Sequence, residues 1–202
     1  MQEYPYERML RDARINLIFE GTNEILRAFI ALSGMAGPGK ALAEVARAMR
    51  EPIKGFGLLS DFAVRKARTM LGRERLSRAH PLLSREAVIF EEYAGEIATQ
   101  SENMLRKHGR DIAEMQFAQR RVADMAIDLY GIAACIARTT RAIERRGEDG
   151  ARREIDLTTV FTAMAHKRLR QNASDFVKND DELRKAVALR AYQDGNYPFD
   201  VL

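Results

Sequence analysis

The sequence predicts an all-α protein, and three observations carry that expectation. Tryptophan is absent, while Ala, Leu, Arg, Glu and Met are abundant, a helix-forming composition. Apolar residues recur at spacings of three and four over long stretches. No alternation of period two persists anywhere, and no internal repeat is visible.

A first helix follows Pro5, which suits a first helical turn, and runs through Glu7, Met9, Leu10 and Asp12. Asn16 to Phe19 form a short extended piece leading to Glu20 and Gly21. Thr22 is the N-cap of a second helix, with Glu24 in its first turn and Ile25, Phe29 and Leu32 as its apolar stripe. Gly34, Gly37, Pro38 and Gly39 are expected to end it, and a third helix covers about Lys40 to Met49. From Glu51 the pattern weakens, punctuated by Pro52, Gly55, Gly57 and Gly72. Ser84 caps a long helix with the stripe Ile89, Tyr93, Ile97, Met104 and His108, closed by Gly109. The cleanest period follows: Met115, Ala118, Val122, Met125, Leu129, Ile132 and Ile136, ended by Gly147 and Gly150. A further helix spans about Asp156 to Val177, and Asn179 with Glu182 is a capping box for a short last one.

Charge and cysteine usage narrow the function classes. The net charge of +4 on 202 residues is too mild to argue for nucleic acid. It is unevenly spread: between Ile53 and His80 seven basic residues face two acidic ones, a net of +5. The single Cys135 excludes an intrachain disulfide and suits a reducing compartment. No apolar run approaches the ~20 residues of a membrane span. His80, His108 and His166 lie far apart without ligand spacing, so no metal site is expected. Gly34 to Lys40 has the glycine and lysine spacing of a phosphate loop, but Ala41 replaces the metal-ligating hydroxyl, and a helix precedes it. A turn between helices is the better account.

Glu20 stands apart. It follows the apolar segment Leu17-Ile18-Phe19 and precedes Gly21 and a helix start. A carboxylate stripped of water by apolar neighbours becomes a better proton acceptor. Gly21 admits close approach of a ligand, and the free N–H groups of the following helix suit an anion or carbonyl oxygen. An exposed loop acid remains the plain alternative.

Tyr4-Pro5, Glu7-Arg8, Arg11-Asp12-Ala13-Arg14 and Ile18-Phe19-Glu20-Gly21-Thr22-Asn23-Glu24-Ile25-Leu26-Arg27 together resemble the C-terminal signature of acyl-CoA dehydrogenases. His80-Pro81, Leu83-Ser84-Arg85, Gln116-Phe117, Gln119 to Asp124 and Ala126 to Tyr130 resemble the extra C-terminal domain of the very-long-chain type. They are also similar to the relative that acts in complex I assembly. The resemblance implies α,β-dehydrogenation of acyl-CoA thioesters with FAD, as in fatty acid β-oxidation. Glu20 would be the general base, Gly21 would lie against the substrate, and Thr22, Asn23 and Glu24 would contact FAD. Arg27 belongs to the motif without an assigned role. An electron-transfer flavoprotein as acceptor and a homodimeric state are further implications. So is location in the cytoplasm of a bacterium or at the mitochondrial matrix and inner-membrane periphery.

Three regions are expected: 1–50, the end of the dehydrogenase helical domain; 51–82, a basic amphipathic linker; and 83–202, an extra antiparallel helical domain. The family's upstream domains, which hold most flavin contacts, are not within the sequence, so the chain is expected to be one piece of a larger enzyme, inactive and without FAD by itself. Residues 53–78 are a candidate contact for anionic membranes. A non-catalytic interaction or assembly module is the alternative reading.

Overall fold

The structure, a computed structural model, describes residues 4–50, 61, 64 and 76–195. Among these the chain is helical and contains no strand, as the composition and periodicity require. The helices are α1 (Tyr6–Arg14), α2 (Asn23–Arg50), α3 (Ser84–His108), α4 (Gln116–Gly150), α5 (Arg152–Asp175) and α6 (Asp181–Asp194). Short 3-10 turns at Ile15–Leu17, Pro81–Leu83 and Gly109–Glu114 join them. None of the described helices is long and apolar enough to cross a membrane.

Helix α4 is the centre. Its three- and four-residue spacing buries Val122, Met125, Leu129, Ile132, Ile136 and Ile143 on one side. One core joins Met125 to Ile143 of α4 with Tyr93 of α3 and Ala165 and Leu169 of α5. A second core joins Val122 and Ala123 of α4 with Met104 of α3, Ile112, and Ala31 and Met35 of α2. Polar ties fix the register between helices. Arg168 of α5 grips the buried Asp128 of α4 at 2.6 Å. Thr139 and Thr158 share a hydroxyl hydrogen bond at 2.7 Å. Arg121 of α4 and Asp181 of α6 form a two-pronged pair with both bonds at 2.6 Å. That hydrogen-bonded guanidinium holds the Asp181 carboxyl below its usual range.

Several expected boundaries move. Asn16 to Phe19 are not extended: Ile18 N–H and Phe19 N–H both bond back to Ile15 O, closing a helical turn. With no neighbouring strand to satisfy its backbone, so short a connection pairs with itself. Gly34 to Gly39 do not end α2, which runs unbroken to Arg50. Pro38 removes one N–H, but the carbonyl four residues earlier belongs to exposed Gly34, so water can satisfy it. The Leu105 side chain lies 3.6 Å from where a Gly39 Cβ would stand, so α3 packs directly on this stretch. The phosphate-loop resemblance dissolves into helix. Helix α3 starts at Ser84, but Leu83 occupies the N-cap after a 3-10 turn led by His80-Pro81. The last helix starts at Asp181, with Asp180 at the N-cap, because Asn179 Oδ1 takes the Asp181 N–H in a tight side-chain turn instead of a capping box. Gly147, at φ 73° and ψ 176°, breaks helical geometry where glycine was expected to end α4. The stretch 51–82 assigned to a linker lies mostly outside the described residues; of it, Leu76 N–H bonds Glu91 and His80 N–H bonds Thr140.

Arg27 now has a role. Its Nε donates to Asp124 Oδ1 at 2.6 Å and its Nη1 to Asn23 O at 3.2 Å, clamping the start of α2 to α4. A double-mutant cycle with Arg27→Ala and Asp124→Ala is expected to give a coupling of about 1 kcal/mol in denaturant unfolding. A coupling indistinguishable from zero would show that the clamp contributes nothing. Asp181 sets an acid limit on α6. Its lowered value means that the pair's contribution is complete above the ordinary carboxylate value of 3.8 and is lost as pH falls below it. With the same protease at each pH, limited proteolysis near Asp181 should therefore accelerate more steeply below that pH in the native chain than in Asp181→Asn.

Candidate functional site

The strip from Tyr4 to Ile30 holds every candidate residue, and its backbone is built for them. Helix α1 ends in the 3-10 turn Ile15–Leu17, which swings the chain into a tight corner at 18–20. Glu20 sits at that corner with φ 60°, and it is the one non-glycine residue with positive φ among the described residues. A left-handed conformation is uncommon for glutamate and costs energy that surrounding structure must supply. Gly21 follows at φ 110°, which a side chain rarely adopts. Thr22 then takes the N-cap place, its carbonyl accepting the Leu26 N–H at 2.9 Å. The first N–H groups of α2 are thus presented beside Glu20.

All of Glu20, Thr22 and Glu24 are exposed, with Gly21 and Asn23 half-buried. The apolar flanks were expected to desolvate Glu20. They do not: Ile18 is 71% exposed, and Leu17 and Phe19 also face outward. Three apolar residues in one short turn have no inner surface of their own to pack against. Tyr6, Met9, Leu10, Ile25 and Phe29 extend the same exposed apolar face. A surface of this character on a folded protein marks a place that another surface covers.

Sequence reasoning missed two features. Nothing in its residue type announced the left-handed Glu20. The motif Gln119 to Asp124 was noticed only as resemblance, yet almost every member has a structural duty. Gln119, buried, donates to Ile112 O and Ala113 O. Arg121 holds Asp181, Val122 and Ala123 enter the core, and Asp124 holds Arg27. Across from the α2 start, Gln116, Phe117 and Arg120 wall a cleft of about 520 Å3 whose other side is Asn23, Glu24 and Arg27. Burial pushes the half-buried Cys135 thiol up, which suits packing and not reactivity.

Comparison with known proteins follows the same division of the chain. Residues 81–194 match the family model for the ACAD9/ACADV C-terminal domain, and residues 1–35 match that for the acyl-CoA dehydrogenase C-terminal domain. The chain is 37% identical over 186 residues to the mitochondrial very long-chain specific acyl-CoA dehydrogenase of Rattus norvegicus, covering 90% of this chain and 28% of that protein. It is 28% identical to a probable acyl-CoA dehydrogenase of Bacillus subtilis (strain 168), covering 93% of this chain and 30% of that one. An acyl-CoA dehydrogenase from Bacillus anthracis, solved in complex with FAD, superposes with a TM-score of 0.60 at 26% identity, over 93% of this chain and 30% of that structure. The chain thus spans less than a third of these relatives. By the match over α3 to α6, together with the signature around Glu20, this chain belongs to the ACAD9/ACADV C-terminal domain family of the acyl-CoA dehydrogenases.

Proposed function

We propose that the chain supplies the general base of a long- or very-long-chain acyl-CoA dehydrogenase, with Glu20 as that base. The observation that carries this reading is the strained, left-handed Glu20 at the centre of an exposed apolar strip. Strain of this kind tends to be kept where it aims a functional side chain. A loop acid with no duty would be under no such constraint.

In this reading Glu20 removes the α-proton of an acyl-CoA thioester, and its backbone N–H helps hold the thioester carbonyl as negative charge develops. Gly21 leaves room for the substrate. Thr22, Asn23 and Glu24 form one wall of an FAD site, where the flavin, when bound, accepts the β-hydride. The residues fit that group: α2 begins there with free N–H donors, and the adjoining cleft carries the exposed cation Arg120. One wall is not a site, so the chain by itself is expected neither to retain FAD nor to turn over substrate. An electron-transfer flavoprotein as acceptor and a homodimer belong to the same proposal, as does the division into 1–50, 51–82 and 83–202. The same exposed apolar strip also favours a second reading, in which the chain is a docking or assembly module without chemistry. Glu20 separates the two, since docking has no use for a strained acid.

In a full-length parent enzyme, Glu20→Gln should keep acyl-CoA and FAD binding but lower kcat by about 10²–10⁴-fold or more. Near-normal turnover would transfer the role to another acid. The basic segment 53–78 is proposed to touch anionic membranes, on the strength of its net +5 interleaved with Phe56, Phe62 and Leu71. Co-sedimentation with anionic vesicles at low salt should be abolished by R65E/K66E/R68E. Equal indifference to anionic and neutral vesicles in the unsubstituted chain would end that idea.

A further inference from the structure

The corner at Glu20 is strained, yet hydrophobic burial does little to anchor it. Helix α1 and the 3-10 turn before the corner contribute no buried residue. Beyond it, no residue from Gly21 to Ile30 is buried, and the core of α2 begins only with Ala31 and Met35. The corner is nevertheless joined closely to the first turn of α2. Leu26 N–H donates to Thr22 O at 2.9 Å, and the Leu26 side chain lies 3.5 Å from where a Gly21 Cβ would stand. What holds that turn therefore also holds Glu20.

Arg27 ties the turn to the bundle. Its Nε donates to Asp124 Oδ1 at 2.6 Å while its Nη1 donates to Asn23 O at 3.2 Å, so one guanidinium joins the backbone just after the corner to a carboxylate on α4. Asp124 is a firm support for it. Val122 and Ala123 before it and Met125 after it are buried. Gln119 pins the same end of α4 to Ile112 O and Ala113 O, and Arg120 approaches the second Asp124 oxygen at 3.6 Å. Arg27 lies in the stretch that matches the dehydrogenase domain and Asp124 in the stretch that matches the ACAD9/ACADV domain, so the tie runs from one to the other.

Building on the reading of Glu20 as the base, we infer that Asp124 is a positioning residue for it: through Arg27 and the Asn23 carbonyl, Asp124 fixes where the Glu20 corner stands. Asp124 itself touches no reacting atom. Its effect is on distance. A base works within hydrogen-bond reach of the proton it takes, and a misplacement of ~1 Å is enough to cost about 10²-fold in rate. Without the Asp124 carboxylate, Arg27 loses its partner on α4, and the unburied first turns of α2 open more readily. A left-handed glutamate then relaxes to ordinary backbone, because its strain persists only while its frame is held.

Amide hydrogen exchange on the 202-residue chain tests the tie without reference to chemistry. Asp124→Asn should speed exchange at Leu26 to Ile30 by about fivefold or more while leaving Ile132 to Ile143 unchanged. Asp124→Glu, which keeps the charge, should restore most of the protection. In a full-length parent enzyme, Asp124→Asn should lower kcat about tenfold with little change in KM. It should slow equally the exchange of the α-hydrogens of a 3-thia-acyl-CoA with solvent deuterium. That probe carries sulfur in place of the β-carbon, so it reports proton removal alone. Asp181→Asn breaks the Arg121 pair elsewhere on α4 and should lower Tm without moving kcat or α-hydrogen exchange. Added to Glu20→Gln, Asp124→Asn should cost nothing further. Unchanged amide exchange at Leu26 to Ile30 overturns the positioning role. So does a loss of kcat that Asp181→Asn reproduces, or one that adds in full to that of Glu20→Gln. An inactive Glu20→Gln beside a fully active Asp124→Asn rejects the positioning role alone, whereas an active Glu20→Gln rejects the base and the positioning role with it.

Discussion

Helix α4 buries apolar surface toward three partners at once, and the arrangement of the other helices follows from that. Its N-terminal half, through Val122 and Ala123, faces α2 and the end of α3. From Met125 onward the same face turns to α3 and α5. An α-helix drifts slowly around its own axis relative to a seven-residue repeat, so a long apolar stripe does not stay aimed at one neighbour. Here the drift is used: one stripe serves two cores in succession. Hydrophobic burial alone would leave the helices free to slide, and the polar ties remove that freedom. Asp124, Asp128 and Thr139 lie along α4 and engage Arg27, Arg168 and Thr158 on its neighbours. Charge-assisted pairs with planar guanidinium forks tolerate little displacement, so they set register where apolar contacts set only proximity.

That division of labour explains what could be read from the residues beforehand. The α4 stripe was plain because burial on several sides leaves an unbroken three- and four-residue pattern. Gly109 and Gly147 were plain as stops because their positive φ values, 55° and 73°, suit glycine. Continuity of α2 through Gly34 to Gly39 was not, because local propensity argues for a turn there. Tertiary context overrides it: buried Ala31, Met35 and Ala48 bracket the weak stretch, and Leu105 packs on Gly39. The Arg27 clamp was equally hidden, since its partner lies 97 residues away and nothing local marks either residue as a pair.

The candidate site was half visible. Residue types and spacing singled out Glu20, and a family signature placed Gly21 to Glu24 around it. The left-handed corner could not be foreseen, because glutamate gives no hint of positive φ. The expected desolvation failed for a geometric reason. Leu17, Ile18 and Phe19 occupy a turn between two helices, and a turn at the edge of a bundle has solvent beyond it. Apolar neighbours in sequence exclude water from a carboxylate only when they can also close over it in space.

This failure carries a physical consequence for the proposed chemistry. Complete burial of an exposed Ile or Phe side chain is worth roughly 1.5–3 kcal/mol, and Ile18, Phe19, Ile25 and Phe29, half to two-thirds exposed, would each gain the corresponding part of it. A covering surface that docks on this strip therefore gains several such contributions, against which the cost of excluding water from one carboxylate can be set. Exposed, Glu20 is solvated like any surface acid. Covered, it loses that solvation at the same moment that the apolar strip is buried. The strained backbone at Glu20 and Gly21 and the Thr22 N-cap meanwhile belong to this chain. In the proposed reading aim and reactivity have separate sources: the corner at Glu20 and Gly21 belongs to this chain, and the exclusion of water belongs to whatever covers the strip. In that reading a base divided in this way would act only once the strip is covered, and an activated carboxylate would not arise without its covering surface.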